Sequence, residues 1–311
     1  MKEIIVAAPR GFCAGVDRAI SIVEKALEVY GAPLYVHHEI VHNKHVVEAL
    51  REKGVVFVDT IDEIPAGQTV IFSAHGVSPA VVTSSKEKNL KILDATCPLV
   101  TKVHIEARRY ARDGYKIVLI GHKDHIEARG TYGEAPEQMT IIETLEDIDL
   151  LNFLPEDKLA YLTQTTLSVR DTRGLIERLR ARFPQIEGPS SSDICYATTN
   201  RQEAVSAIAP KVKVMFVIGS RNSSNSNRLK ELAESEGTRA YLIDSAADIT
   251  AAHFEGATSV GLTAGASAPE VLVQQVTERL KSEFGFTHVN ELRLKEEDVI
   301  FKLPKELLSA S

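Results

Sequence analysis

The sequence predicts an α/β protein made of several small, mostly parallel sheets covered by helices. Short apolar runs alternate with amphipathic segments along the 311 residues, a pattern typical of repeated strand–helix–strand units. These strands are short and too numerous for one sheet, so we expect more than one sheet. The runs that predict buried strands are Ile4–Ala8, Leu34–Val36, Val55–Val58, Val70–Phe72, Ile117–Ile120, Leu159–Leu162, Val214–Ile218 and Ser259–Leu262.

Composition argues against several classes of partner. The net charge is −7, there is no Trp, and aromatic residues make up 6% of the chain. A nucleic-acid or anionic-membrane partner is therefore not expected. No apolar stretch approaches the roughly 18 residues of a membrane span. The N-terminal run MKEIIVAAPR is too short in apolar residues for a signal peptide and predicts a first strand, so we expect a cytoplasmic protein.

The three cysteines, Cys13, Cys97 and Cys195, are the first candidates for chemistry. An odd number of widely spaced cysteines is a poor disulfide framework, and none lies in a Cys-x-x-Cys pair. Three buried cysteines that only pack remain an alternative. Each cysteine, however, lies where a strand gives way to a helix: Cys97 precedes Pro98, and Cys195 precedes a capping-box spacing over residues 199–202.

Three equivalent junctions suggest three similar lobes whose strand–helix junctions meet at one centre. The predicted boundaries are an N-terminal strand over 1–13, lobes over 14–97, 98–195 and 196–284, and a tail over 285–311 that packs back on the body. A thiolate at a helix N-terminus is stabilised by the helix dipole. Three such thiolates could bind zinc, copper(I) or an iron–sulfur cluster and would leave one coordination position open, which indicates reactivity. The residues alone leave zinc and iron as alternatives.

The ends of the other predicted strands are rich in small polar residues. Such loops, leading into helix N-termini, form anion sites from backbone N–H groups and dipoles, and a diphosphate fits them. The alternative is that each loop only caps a helix or makes a turn. The loops are Ser73–Ser78, Gly121–Glu127, Thr163–Ser168, Gly219–Asn227 and Thr263–Pro269.

The histidines fall into two groups. His42, His75 and His125 lie in polar turns and are candidate donors to phosphate oxygens. A structural role is favoured for His37 and His38 beside a strand, and for His104 on a helix. The nearby Glu127 is the best candidate for a proton donor, although a lone loop glutamate is usually just solvated.

Several motifs resemble the 4-hydroxy-3-methylbut-2-enyl diphosphate reductase family, the last enzymes of the non-mevalonate isoprenoid route. The resemblance covers essentially the whole chain. The motifs are Gly11–Ala19 (GFCAGVDRA), His38–Asn43 (HEIVHN), Ser73–Ser78 (SAHGVS), Asp94–Val100 (DATCPLV), Thr163–Ser168 (TQTTLS), Asp193–Gln202 (DICYATTNRQ), Ser223–Ser226 (SSNS) and Thr263–Ser267 (TAGAS).

The resemblance implies a trefoil of three α/β lobes around a central iron–sulfur cluster. It implies that Cys13, Cys97 and Cys195 hold a [4Fe–4S] cluster whose fourth iron is not bound by cysteine, and which becomes [3Fe–4S] when that iron is lost. Glu127 then matches the acid that delivers protons, and Thr165 the threonine near the substrate hydroxyl. The implied substrate-binding residues are His42, His75, His125, Thr165, Thr198, Ser223, Ser224, Asn225 and Ser267.

The implied reaction is reductive dehydroxylation of 4-hydroxy-3-methylbut-2-enyl diphosphate to isopentenyl and dimethylallyl diphosphate. The family also implies ferredoxin or flavodoxin as electron donor and a monomeric protein. One position departs from the family pattern: Ile126 stands where a proline precedes the acid, which frees a φ angle and leaves the aim of Glu127 open. The alternatives are a zinc-dependent hydrolase acting on a small phosphate ester and a non-catalytic sugar-phosphate-binding protein.

Overall fold

The computed structural model describes residues 2–308, in which strands and helices alternate. The strands are β1 (Glu3–Ala8), β2 (Leu34–His37), β3 (Val55–Val58), β4 (Thr69–Phe72), β5 (Lys91–Asp94), β6 (Lys116–Ile120), β7 (Met139–Ile142), β8 (Leu159–Thr163), β9 (Val214–Ile218), β10 (Arg239–Ile243), β11 (Ser259–Ala264) and β12 (His288–Arg293). The helices are α1 (Ala14–Tyr30), α2 (Lys44–Glu52), α3 (Pro79–Glu87), α4 (Pro98–Arg112), α5 (Ile126–Tyr132), α6 (Leu145–Asp149), α7 (Val169–Arg182), α8 (Tyr196–Ile208), α9 (Ser224–Ser235), α10 (Glu270–Ser282) and α11 (Lys305–Leu308).

The strands form three sheets in which every pair of neighbours is parallel. The sheet orders are β10-β9-β11-β1-β12, β3-β2-β4-β5 and β7-β6-β8. The predicted class, an α/β fold of several small parallel sheets with helices, is therefore confirmed. Parallel neighbours place their carboxyl ends at one edge of each sheet, so the loops that follow those strands share that edge.

Every strand in the predicted set is present, and four further strands, β5, β7, β10 and β12, lie outside that set. β5 has only Ile92 and Leu93 between exposed Lys91 and Asp94, and β7 contains exposed Thr140. β10 begins at exposed Arg239, and β12 is exposed along most of its length. The capping-box interpretation after Cys195 is wrong. The helix α8 already begins at Tyr196, so Thr199 lies inside it rather than at its cap.

The contacts divide the chain into two compact units. The first comprises the chain up to Val16, His42–Leu50 and Tyr196–Ile300, and the second comprises Asp17–Val41, Arg51–Cys195 and the chain from Phe301 onward. The lobe boundaries expected from the cysteine positions remain a prediction. In residues 2–308, no helix combines the length and the apolar character needed to cross a bilayer.

The first unit is built on the five-stranded sheet. Its strand β9, with the sequence VMFVI, is buried at every residue, as expected for a strand covered on both faces. One face packs against α10 through Leu272, Val276 and Leu280. The other packs against α8 and α9 through apolar side chains such as Val205 and Leu229. The sheet thus holds the ends of β9, β11 and β1 side by side.

The second unit contains the four-stranded and three-stranded sheets. Helix α4 begins at Pro98, whose ring fixes φ at a helical value, and buries Val103, Ala107 and Tyr110 at helical spacing against the three-stranded sheet. Helix α7 covers the other face of that sheet with Leu175 and Leu179. The polar loops of this unit follow the carboxyl ends of β4, β5, β6 and β8.

Candidate functional site

Each cysteine lies immediately before a helix, as the sequence predicts. Cys13 precedes α1, Cys97 is the residue that caps α4, and Cys195 precedes α8. None of the three forms a disulfide within residues 2–308, and all three are half-buried. Burial raises the pKa of the Cys13 thiol, while the charge of Arg201 and the N–H groups of Gly15 and Val16 oppose this shift. The two N–H groups are those expected at the N-terminus of α1, and Arg201 adds the charge of a side chain from α8.

The loop that carries Cys13 is tied to the neighbouring strand end. The amide of Gly11 donates to Ala264 O (3.1 Å) and that of Cys13 donates to Ala266 O (3.3 Å). Gly11 has φ +65°, and a Cβ at this position would lie 3.1 Å from Ala268 O. A side chain there would be strained and crowded, so this turn requires glycine.

The same edge of the first unit gathers four of the predicted diphosphate ligands. Ser223 caps α9 by accepting from Ser226 N (3.3 Å), and Ser224 and Asn225 form the first turn of that helix. Ser267 Oγ donates to His42 O (2.8 Å). Backbone amides at such a helix start suit an anionic ligand.

Asn225 is held with its amide donor unused. Its Oδ1 accepts from Ala266 N (2.9 Å), which fixes the orientation of the side-chain amide. The side chain is 4% exposed, and in residues 2–308 its Nδ2 finds no hydrogen-bond partner. A buried donor without an acceptor is costly, which indicates that an acceptor such as a phosphate oxygen belongs there.

In the second unit, Glu127 and Thr165 are in contact. Glu127 is 3% exposed, and its Oε1 accepts from Thr165 N (2.6 Å). The carbonyl of Thr165 accepts from Cys195 N (3.1 Å). The structure therefore brings together the predicted acid, the predicted threonine and one predicted thiolate.

Ile126 does not disturb the start of the helix that carries Glu127. His125 caps α5 with extended φ and ψ, and its Nδ1 accepts from Glu127 N (3.2 Å). The His125 ring lies 6.0 Å from the His75 ring between centroids, and His75 Nδ1 lies 3.2 Å from Ser73 Oγ. The two predicted phosphate-binding histidines of this unit are neighbours, and the cap replaces the local restraint that proline would give.

The remaining predicted residues have less defined surroundings. Thr198 is 1% exposed inside α8, and a role for it in substrate binding remains a prediction. His42 lies beside Asn222, with Nδ1 3.3 Å from Nδ2.

Among residues 2–308, no three His, Cys, Asp or Glu side chains form a group that could hold a single metal ion. The thiolates of an iron–sulfur cluster bind separate irons, so a cluster demands no such single-ion group.

Comparison with known proteins identifies the family of this chain. Residues 4–281 match the family described as LytB protein. The chain belongs to the LytB family. A relative from Pectobacterium carotovorum, 56% identical over 308 residues, covers 98% of this chain and 97% of its own length. A relative from Bordetella pertussis is 57% identical over 305 residues, covering 98% of this chain and 94% of its own length. Both are named 4-hydroxy-3-methylbut-2-enyl diphosphate reductase.

Solved structures agree with this LytB assignment. The E-1-hydroxy-2-methyl-but-2-enyl-4-diphosphate reductase of Plasmodium falciparum has a TM-score of 0.97 and 40% identity, covering 99% of this chain and 97% of that one. A structure of (E)-4-hydroxy-3-methyl-but-2-enyl diphosphate reductase has a TM-score of 0.64 and 34% identity, covering 90% and 99%. The predicted family and fold are thereby confirmed.

The sequence interpretation missed two arginines that hold the LytB cysteine loops. Arg201 donates to Gly11 O (2.7 Å) and Phe12 O (3.3 Å), just before Cys13. Arg18 donates to Thr96 O (3.0 Å), just before Cys97. Both lie within quoted motifs, but a charged residue on a helix normally predicts a solvated face. Only the fold reveals that these two point at backbone carbonyls.

Proposed function

We propose that this chain reduces 4-hydroxy-3-methylbut-2-enyl diphosphate to isopentenyl and dimethylallyl diphosphate. The reaction consumes two electrons and two protons, breaks the allylic C–O bond and releases water. Identity of 56% across 98% of the chain supports this activity. The observation that carries the chemistry is the buried contact between Glu127 and Thr165, because it places the predicted acid beside the residue predicted to face the substrate hydroxyl.

The donor set fits an iron–sulfur cluster. Cys13, Cys97 and Cys195 would hold it, since each lies at a helix start and none forms a disulfide within residues 2–308. Thiolates are stabilised at helix starts. When bound, a [4Fe–4S] cluster with one iron not held by cysteine supplies electrons one at a time and a Lewis-acidic iron. The [3Fe–4S] form would follow from loss of that iron.

The polar edge of the first unit would bind the diphosphate. Asn225 offers a buried, oriented amide donor, and the first turn of α9 offers backbone N–H groups beside Ser223 and Ser224. Hydrogen bonds to a charged group contribute roughly 1.5–3 kcal/mol each. Ser267, His42, His75, His125 and Thr198 complete the proposed set of contacts. Such a set binds an anion without a cluster of arginines, which suits a protein of net charge −7.

Glu127 would deliver the proton to the leaving oxygen, with Thr165 as its relay. The hydrogen bond from Thr165 N to Oε1 fixes the carboxyl group, and the cap by His125 fixes the start of its helix. A positioned acid of this kind typically accelerates a reaction about 10²–10⁴-fold. A ferredoxin or flavodoxin would supply the electrons. The monomeric state and the cytoplasmic location predicted from the sequence remain predictions.

Anaerobic purification with an absorption spectrum and iron and sulfide analysis tests the cluster. We expect a brown protein with about four irons and labile sulfide that reduces the allylic diphosphate. A colourless protein containing zinc would instead support the hydrolase alternative. A metal-free protein that binds sugar phosphates and tolerates replacement of each cysteine would support the binding-protein alternative.

The Glu127→Gln variant tests the acid. We expect it to keep its iron and its affinity for substrate and to lose turnover by about 10²–10⁴-fold. A matched control is Glu106→Gln, which changes another carboxyl that is also buried, at 7% exposure, on helix α4. Near-normal turnover in Glu127→Gln would remove the acid role, and equal losses in both variants would point to general destabilisation.

A further inference from the structure

His104 occupies an unusual place in the second unit. It lies on α4 two turns after Cys97 and is 5% exposed. Its Nδ1 lies 2.8 Å from Glu134 Oε1, and Arg108 lies 2.8 Å from the other oxygen of the same carboxylate. Within residues 2–308, the Nε2 atom has no hydrogen-bond partner. The ring is thus anchored on one side only.

The contact with Glu134 determines which ring nitrogen of His104 carries the proton. Burial would raise the pKa of Glu134, but the hydrogen bonds from His104 and Arg108 outweigh burial, and the pKa lies below its ordinary value. An ionised carboxylate only accepts hydrogen bonds, so the proton must be on Nδ1 of His104. Glu134 therefore fixes the orientation of the ring, as carboxylates do for histidines in many sites.

The unanchored edge of the ring faces two glycines. A Cβ on Gly76 would lie 3.0 Å from Cε1 and 3.2 Å from Nε2 of His104. A Cβ on Gly130 would lie 3.2 Å from Gly76 O and 3.6 Å from Cε1 of His104. The ring, the Gly76 turn and the Gly130 stretch of α5 therefore pack without room for an added methyl group.

Each glycine is next to a residue of the proposed site. Gly76 directly follows His75, and Gly130 lies one helical turn after Glu127 on α5. Gly76 also has φ +78°, a conformation that other residues seldom adopt, so a side chain at this position would be strained as well as crowded. A displacement of the His104 ring would therefore displace both the Gly76 turn and the Gly130 stretch of α5.

We propose that His104 is a positioning residue, which acts through the Gly76 turn on His75 and through Gly130 on Glu127. This inference rests on the reductase function proposed above. The sequence pattern favours only a structural role for His104. A structural role predicts lower stability with unchanged kinetics in the folded protein, whereas positioning predicts altered kinetics.

Steady-state kinetics of His104→Ala, measured well below its melting temperature, test the proposal. We expect kcat to fall and KM to rise, with an overall loss of about 10- to 100-fold in kcat/KM, the size expected from a displacement near 1 Å. Glu134→Gln keeps the ring but weakens its anchor, so we expect a smaller change in the same direction. Unchanged kcat and KM in His104→Ala, with only a lower melting temperature, would overturn the proposal.

Two alanine substitutions at glycines supply the matched comparison. Gly114, at the end of the same helix, has φ +80° and no neighbour within 4 Å of an added Cβ, so Gly114→Ala carries the backbone strain alone. We expect Gly76→Ala to lower kcat/KM and Gly114→Ala to leave it unchanged. Combining Gly76→Ala with His104→Ala should give less than the product of the two losses, because the contact of the added Cβ with the ring disappears, although its contact with Thr96 Cγ2 (3.2 Å) stays. Strictly multiplicative losses would overturn the coupling.

A measurement that needs no turnover separates this inference from the proposed function. The imidazole resonances of His75 and His125 should shift in His104→Ala and stay in place in Gly114→Ala, with His75→Gln and His125→Gln used for assignment. Absence of reductase activity in the wild-type holoenzyme would refute the function, while the resonances would still decide the positioning role. Unmoved resonances in His104→Ala would refute the positioning role.

Discussion

The loops before Cys13 and Cys97 are both held by an arginine from another segment, but the two arginines differ in burial. Arg201 is 0% exposed and reaches the carbonyls of Gly11 and Phe12. Arg18 is half-buried and reaches the carbonyls of Asp94 and Thr96. The same guanidinium geometry, a fixed fork of donors, serves both loops.

The difference in burial explains why the two arginines bind different groups of the C-terminal residues, a carboxylate in one case and a main-chain carbonyl in the other. A fully buried guanidinium needs a counter-charge, and Glu297 supplies it with Oε1 3.0 Å from Arg201. Arg18 instead donates a hydrogen bond to Lys302 O (2.9 Å). It needs no carboxylate partner, because water can solvate part of its charge. The comparison shows two ways to fix a cysteine loop. One uses a buried charge pair with a large desolvation cost, and the other uses a half-exposed arginine whose desolvation cost is smaller.

The largest expected effect is that of Arg201→Met. Removing one partner of a buried pair leaves the carboxylate of Glu297 without its counter-charge, although it keeps the hydrogen bond from Asn200 Nδ2 (2.9 Å). It also leaves the carbonyls of Gly11 and Phe12 without the guanidinium. Such a loss typically costs about 3–5 kcal/mol. Urea unfolding of the cluster-free protein measures this cost. Arg293→Met is the control, because Arg293 pairs with Glu291 while 57% exposed, and exposed pairs contribute under about 1 kcal/mol. Equal costs for the two variants would break the contrast between buried and exposed arginines.

We expect acid to destabilise the four-stranded sheet, whose strand β5 leads to Cys97. The effect should lie between that of Arg201→Met and that of Arg18→Met. Burial, with the neighbouring His38, lowers the pKa of His37 to about 4 from its ordinary 6.5. The unfolded state therefore binds more protons between these values, and stability falls as the pH drops from about 6.5 to about 4. His37 pairs with Phe72 across β2 and β4, so the loss should act on this sheet.

Amide exchange at pH 7 and pH 4.5, corrected for intrinsic rates, checks this acid effect. We expect β4 and β5 to lose protection more than β1, which leads to Cys13. Burial raises the pKa of Asp193 to about 6, which acts in the opposite direction, so wild type is compared with His37→Phe. If His37→Phe loses as much protection in β4 and β5 as wild type does, His37 is not the cause.

Sequence alone predicted much of the fold, because buried strands and helix starts follow from local patterns, whereas the roles of the site residues came from the family resemblance and remain predictions. Buried parallel strands such as β9 are continuous apolar runs, and helix starts are marked by residues such as Pro98. The contact between Glu127 and Thr165 was expected only through the family resemblance, because no spacing rule relates these two positions. β12 escaped because it is largely exposed and pairs with β1 from the other end of the chain.

The contacts of Arg201, Arg18 and His104 could not be predicted from sequence for a physical reason. Arg201, Arg18 and His104 all lie on helices, where a polar side chain ordinarily faces solvent or caps a turn. Arg201 and Arg18 bind main-chain carbonyls and His104 packs on glycines, and such partners leave no signature of side-chain complementarity in the sequence. The side-chain partners Glu297 and Glu134 lie far along the chain from Arg201 and His104. Such contacts are decided by how segments pack, so they become visible only in the folded chain.

The smallest expected effect is that of Arg18→Met. It removes hydrogen bonds to carbonyls that water can partly reach, and a net loss near 1 kcal/mol is typical of such bonds. Arg109→Met is the matched control, because exposed Arg109 lines the same cavity as Arg18, and surface substitutions usually change stability by under about 0.5 kcal/mol. Urea unfolding in parallel with Arg201→Met gives the ranking. A cost for Arg18→Met equal to that of Arg201→Met would mean that burial of the charge does not separate the two clamps, and that the carbonyls they hold matter more than the solvent around them.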